Sequence, residues 1–215
     1  VASLDRAVQK IGFRESIRLL NLAVIHLLSA RSLHSYGMNA DASWTECLLH
    51  GIFMENLART TRAHEPDEAY TAGLLRYIGR QAINQILHDL NSPARWDGAA
   101  SLEAWEIEHA GFSQAHAGAL LLRAWKFTEA MCVAIEWQNQ PAAAPAPSWL
   151  AAALHFTAAV LPTGAAPGRL HAAPPCAIPP TGRDFATHHQ LTPERLEEML
   201  EATRETFTGT RRGLY

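Results

Sequence analysis

Apolar side chains recur along this chain at spacings of three and four residues, the period of helices with one buried face. No stretch alternates with the period of two that marks a strand bounded by turns, and no internal repeat is present. Ser3 is placed to cap a short helix over residues 4–11, with Gly12 as its left-handed stop. Residues 13–36 then carry Ile17, Leu20, Val24, Leu27 and Leu28 on one stripe, widened by Leu19, Leu22, Ala23 and Ile25, which predicts a central helix. A turn over 36–43 ends at Ser43, the predicted cap of a long helix over 44–63 whose Leu48, Ile52, Leu57 and Ala58 share a face. Pro66, with Asp67 and Glu68 at the positive end of the helix dipole, opens a helix predicted to run unbroken to Leu90 and to bury Leu74, Leu75, Ile78, Ile83 and Ile86.

Beyond a breaker-rich stretch at 91–100, Ser101 caps a helix that Gly111 stops, and two further helices cover 113–127 and 128–140, the second ending before Pro141. A helix near 148–161 follows the linker at 141–148. Residues 163–190 are rich in Pro, Gly and Ala and read as a long loop, mobile or wrapped on the surface. Thr192 and Pro193 then start a charged closing helix. The pattern predicts an all-α fold divided into a helical core at 1–161, a loop at 162–191 and a C-terminal helix at 192–215 that packs on the core.

With 215 residues the chain is long enough to bury a substantial core, and its 48% hydrophobic and 18% charged residues exclude disorder for most of its length. A formal net charge of −3 removes the footprint of a dedicated nucleic-acid binder or of a protein held on an anionic membrane surface. The longest apolar runs, 19–28 and 149–162, fall short of the ~20 residues a membrane span needs. Three scattered cysteines, Cys47, Cys132 and Cys176, form neither a disulfide framework nor a CxxC zinc site, so a reducing, cytoplasmic location is expected. The chain starts at Val1 without a methionine, which leaves open that it is a fragment of a longer protein.

Eleven histidines invite a metal site, and Glu46 and His50, four apart on one helix, could face a single ion. An isolated pair at that spacing is also common on solvated or half-buried helix faces. His109 and His116 flank Gly111 and so lie on different helices, while His188 and His189 are neighbours whose side chains should point apart. Cys47 and Cys132 sit in apolar helical surroundings, where a thiol packs as a small hydrophobe. Trp44, Trp105, Trp125 and Trp149 read as core residues rather than a ligand cage, and Arg211 with Arg212 reads as solvated tail. No nucleophile elbow, phosphate-binding loop or dinucleotide fingerprint occurs.

The order of blocks is more specific than any spacing. LDRAVQKIGFRESIRLLNLA, WTECLLHGIFMENLAR, DEAYTAGLLRYIGRQAI and EHAGFSQAHAGALLLRAWKFTEAMCVAIEWQNQP together resemble the HD-related output domain, HDOD, over roughly residues 3–141. The resemblance implies an all-α bacterial signalling domain related to HD-type metal-dependent phosphohydrolases and usually without their activity. Relatives commonly write W-x-H-S where this chain has Trp44-Thr45-Glu46-Cys47, and GLLHDIG where it has Gly73-Leu74-Leu75-Arg76-Tyr77-Ile78-Gly79. Gln114 stands where a histidine is frequent, and Gln138-Asn139 replace a His-His doublet before Pro141. Of these positions only Glu46 keeps a metal-binding group, and Arg76 would repel a cation. Gly73, Gly79 and Gly118 remain, so the resemblance implies a retained scaffold without the metal; a Glu46–Arg76 salt bridge is the expected closure of the old pocket.

The expected function is a non-catalytic regulatory domain that binds a signalling protein or a small signal, with no cofactor, nucleic acid or membrane. Glu46, Arg76, Tyr77, Gln114, Gln138 and Asn139 mark the degenerate pocket. The family usually carries a further helical region ahead of LDRAVQKIG, and its lack would expose apolar surface that favours a homodimer or a partner. Two alternatives stand beside this. One is a divergent phosphohydrolase using Glu46, His50 and His109; the other is a nucleotide sensor in which Arg76 grips phosphate. Arginine outnumbers lysine 16 to 2, but genome base content also produces that bias.

Overall fold

The computed structural model describes residues 32–99, 101–161 and 182–213. The predicted helix over 4–11 and nearly all of the one over 13–36 lie outside these residues. Within them the architecture is helical, as expected, and the only extended pairing is an isolated bridge between Leu33 and Met38. That bridge closes a tight turn over His34–Tyr36, which Gly37 ends in the left-handed conformation at φ 64°.

Helix α1 spans Ala40–Thr61. Its cap is Asn39, whose side chain accepts from the Ala42 N–H at 2.8 Å, so the helix begins a turn before the predicted Ser43. Gly37 has already broken the preceding turn, and Ser43 is left as a buried interior residue. From Ser43 to Ala58 almost every side chain of α1 is buried, the signature of a helix surrounded by others.

Helix α2, Pro66–Leu75, packs most extensively against α1. A Cβ built on Gly73 would lie 2.5 Å from the His50 carbonyl oxygen and 2.7 Å from Gly51 Cα, so the two backbones touch there. The predicted single helix over 66–90 is in fact two, because α3 begins afresh at Ile78 and ends at Asp89. The break has a local cause. Gln138 donates through Nε2 to the Arg76 carbonyl at 3.1 Å, the oxygen that the Arg80 N–H would take in a continuous helix, and Arg80 N–H turns to Tyr77 instead.

Helices α4 (Leu102–Ala110), α5 (Gln114–Ala124) and α6 (Glu129–Glu136) start at Ser101, Ser113 and Thr128, each accepting from a first-turn N–H. Gly111 closes α4 at φ 85° as expected. Helix α7, Trp149–Val160, is capped by Ser148. The predicted loop through residue 190 is corrected at its end: Arg183–His188 form a short helix, α8, because Phe185 stacks on Phe156 at 5.1 Å and Ala186 is buried.

Helix α9, Pro193–Gly213, opens with Thr192 accepting from the Arg195 N–H. It runs antiparallel along α1, burying Leu196, Met199, Leu200 and Phe207 and pairing Thr203 with Asn56 at 3.0 Å. Arg211 is not loose tail: it reaches Asp41 at 2.5 Å, near the other end of α1. Trp44 and Trp105 are core as expected, whereas Trp125 is 43% exposed because it follows the last turn of α5.

Because Gly73 faces backbone rather than a flexible side chain, Gly73→Ala has nowhere to place its methyl. We expect a loss of about 3 kcal/mol in urea unfolding, against less than about 1 for Gly209→Ala, which meets open space.

Candidate functional site

The break between α2 and α3 turns Arg76, Tyr77 and Arg80 inward. Arg80 Nη1 donates to Glu46 Oε2 at 2.8 Å, with both side chains nearly fully buried. The guanidinium of Arg80 sits 3.7 Å from the Tyr77 ring centroid, and that of Arg76 sits 4.8 Å from the same ring, so one phenol face system serves two cations. Arg76 Nη1 donates to the Leu154 carbonyl on α7 at 2.5 Å and lies 3.4 Å from His50 Nδ1. His50 packs edge-on to Tyr77 at 5.2 Å. On the other flank, Tyr36 OH donates to Glu106 Oε1 at 3.1 Å, and Glu106 Oε2 accepts the Gln114 N–H at 2.7 Å.

The expected salt bridge is therefore corrected. Glu46 pairs with Arg80, while Arg76, one turn earlier, is drawn across to α7. Glu46 and His50 do share a face, but that face is fully buried and looks onto guanidinium groups. Of the six predicted pocket residues, Arg76 and Tyr77 meet directly, and Glu46 joins them through Arg80. Gln114 and Gln138 join through backbone and amide contacts. Asn139 does not join: it is half-buried and bonds to none of the others. Sequence reasoning missed Arg80, Glu106 and Tyr36. Arg80 was recoverable, because it lies four residues after Arg76 on a face otherwise apolar, whereas Glu106 and Tyr36 reach the site only through tertiary packing.

The remaining histidines go elsewhere. His109 packs on Trp105 at 5.2 Å and His116 pairs with Glu136 at 3.3 Å in an exposed position. His188 and His189, expected to diverge, meet edge-on at 4.8 Å at the end of α8.

Burial sets the electrostatics. It pushes the His50 pKa well below its usual value, reinforced by the charges of Arg76 and Arg80, so the imidazole is neutral. With Nδ1 facing a donor, the proton belongs on Nε2, which is buried without a partner among the described residues. Burial also lowers Arg76, and the Arg80 charge adds to the fall. For Arg80 burial acts downward too, but the Glu46 carboxylate, followed by Tyr77, Tyr36 and Glu106, reverses it to a net rise. Burial raises both Glu106 and Tyr36.

A divalent ion does not fit these residues. The Glu46 carboxylate is taken by a guanidinium, the His50 lone pair faces another, and no three His, Cys, Asp or Glu side chains converge among the described residues.

Comparison with known families matches residues 1–141 to the HDOD domain. The chain belongs to the HDOD family. Among solved structures, a protein described as "Putative phosphohydrolase" from Shewanella amazonensis SB2B superposes with a TM-score of 0.63 at 21% identity, covering 97% of this chain and 77% of that one. The MmoQ response regulator from Methylococcus capsulatus str. Bath superposes with a TM-score of 0.55 at 22% identity, covering 93% and 75%. Identities this low speak to the HD-like helical fold. No curated protein matches the chain in sequence.

Two outcomes follow from the charge cluster. Arg80→Met strands a buried carboxylate and should cost about 3–5 kcal/mol in urea unfolding, part of it recovered by adding Glu46→Gln. His50 stays neutral when folded but binds a proton when unfolded below about 6.5, so the unfolded state holds more protons and stability falls as the pH drops through that value. His50→Gln should flatten this part of a stability profile measured between pH 7.5 and 5.

Proposed function

We infer that this HDOD domain is a non-catalytic regulatory module of bacterial, cytoplasmic signal transduction, acting by contact with a signalling protein or by binding a small signal. The observation that carries this reading is the Arg80–Glu46 pair with Arg76 beside it, buried where an HD hydrolase would hold its metal. Hydrolysis of a phosphate ester by such a fold needs an ion to activate water and to neutralise phosphoryl charge. Here the cations are covalently part of the chain, and a guanidinium can draw a phosphate but cannot generate hydroxide.

The signalling context is supported by the HDOD assignment and by likeness to a response regulator, and no described helix is long and apolar enough to cross a membrane. Leu120 and Trp125, 51% and 43% exposed at one end of α5, supply apolar surface suited to a protein contact or a homodimer. The word phosphohydrolase belongs to the Shewanella protein, and the altered residues argue against carrying it over.

The test is elemental analysis of protein purified without chelator, alongside hydrolysis of p-nitrophenyl phosphate with added Mn²⁺. We expect well below one transition metal per chain and no turnover above buffer. One bound metal per chain, or metal-dependent turnover lost in Glu46→Gln, overturns the reading.

A further inference from the structure

A second concave site lies far from the charge cluster in sequence terms, where the C-terminal end of α1 meets the start of α9. It is a cleft of about 740 Å³. That lies within the range of roughly 300–1,000 Å³ typical of small-molecule sites. Arg59, Arg62, Arg195 and His189 line it, with Asn56, Thr60 and Thr61 adding polar groups and Glu198 the single carboxylate.

The state of these cations is informative. Elsewhere in the described chain Arg80, Arg123, Arg204 and Arg211 are each held by a carboxylate, Arg76 by the Leu154 carbonyl, while Arg95, Arg183 and Arg212 lie outside this cleft. Within the cleft Arg59 is likewise held by Glu55 at 2.7 Å. Arg62 and Arg195 have no carboxylate partner among the described residues, and Arg195 makes only a 3.4 Å bond to the Gln190 carbonyl. Glu198, three residues from Arg195 on the same helix, forms no ion pair with it among the described residues. Two guanidiniums with open donor forks thus face one cavity.

The backbone points the same way. Of the four non-glycine residues with positive φ among those described, two bracket this cleft: Arg62 at 53° and Gln190 at 53°. Glycine adopts that conformation without steric cost, so an arginine there is carried at some expense. A guanidinium ending α1 would be accounted for by the helix dipole alone, but that account does not reach Arg195, which sits in the first turn of α9, at the positive end of its own dipole. Glu194 in the same turn offsets part of that cost, yet it is not ion-paired with Arg195.

We propose that this cleft is a binding site for a phosphorylated small molecule of nucleotide size, whose phosphate is gripped by Arg62 and Arg195. The planar fork of each guanidinium suits two phosphate oxygens at once, and the N-terminal turn of α9 adds its dipole. His189 offers a ring at the cleft wall, packed at 4.5 Å against Phe185 and 6.3 Å from Trp149, on which a base can lie. The site uses none of the residues of the degenerate metal pocket, so it stands or falls separately from the non-catalytic reading.

The experiment is isothermal titration of the full chain with pyrophosphate, with GMP and with cyclic di-GMP, at 50 and 300 mM NaCl. Arg62→Gly, which suits the left-handed backbone, and Arg195→Gln remove the two donors from exposed positions, and Arg212→Gln is the control outside the cleft. We expect at least one probe to bind, at least tenfold weaker in each cleft variant, lost in the double variant, unchanged in the control and weaker at high salt. A nucleotide binding more tightly than pyrophosphate supports a base contact at His189, tested by His189→Ala. No binding of any probe at millimolar concentration, or binding that survives the double variant, overturns the proposal. Circular dichroism melts of the variants separate loss of the site from loss of the fold.

Discussion

Two guanidiniums buried beside a single paired carboxylate constrain everything around them. Moving such charges out of water is costly, and the cost is offset only where each guanidinium finds a partner of suitable geometry, even though the Nε of both arginines is left without one among the described residues. Arg80 finds Glu46, Arg76 finds the Leu154 carbonyl, and both find the Tyr77 ring. These partners come from α1, α7 and the α2–α3 junction, so the electrostatics can be satisfied only if three parts of the bundle are correctly placed together. Desolvation offsets much of the attraction in a buried ion pair, so the pair is expected to fix the arrangement more than to add net stability.

The same junction shows how a local competition sets topology. A continuous helix from Pro66 to Asp89 would satisfy its own carbonyls, yet Gln138 takes the Arg76 oxygen and the chain restarts at Ile78. The restart lets Gly79 press against α5, where a Cβ would come within 1.9 Å of the Gln114 carbonyl oxygen. Gln114 is thereby held with its N–H toward Glu106, which in turn anchors Tyr36. Glycines at Gly73 and Gly79 therefore bring backbones close enough for side chains on four helices to reach one point.

Much of this was legible before the structure. Helix positions, the caps at Ser101 and Thr192, and the HDOD resemblance all follow from spacing and block order, because they depend on local chemistry. The break at Arg76-Tyr77 and the short helix at Arg183–His188 did not follow, since each is decided by a contact distant in sequence, Gln138 and Phe156; the cap at Asn39 is local, but depends on the Gly37 turn two residues before it. At the site, the residue substitutions were readable and their pairing was not. Arg76 and Arg80 are chemically identical and one turn apart, and only the direction of the Leu154 carbonyl decides which of them Glu46 receives.

The direction of that change of charge carries a functional argument. A metal held by ionised and imidazole ligands is a removable cation whose affinity depends on pH and supply, and it brings exchangeable water to the site. A guanidinium brings comparable positive charge with no water to ionise and no dissociation, so the pocket's charge becomes a fixed structural element. Neutral His50 fits that arrangement: its Nδ1 accepts from Arg76, and its lowered pKa keeps it from adding a third positive charge. The positive charge at this point is thus supplied by side chains of the chain itself and is fixed by their packing.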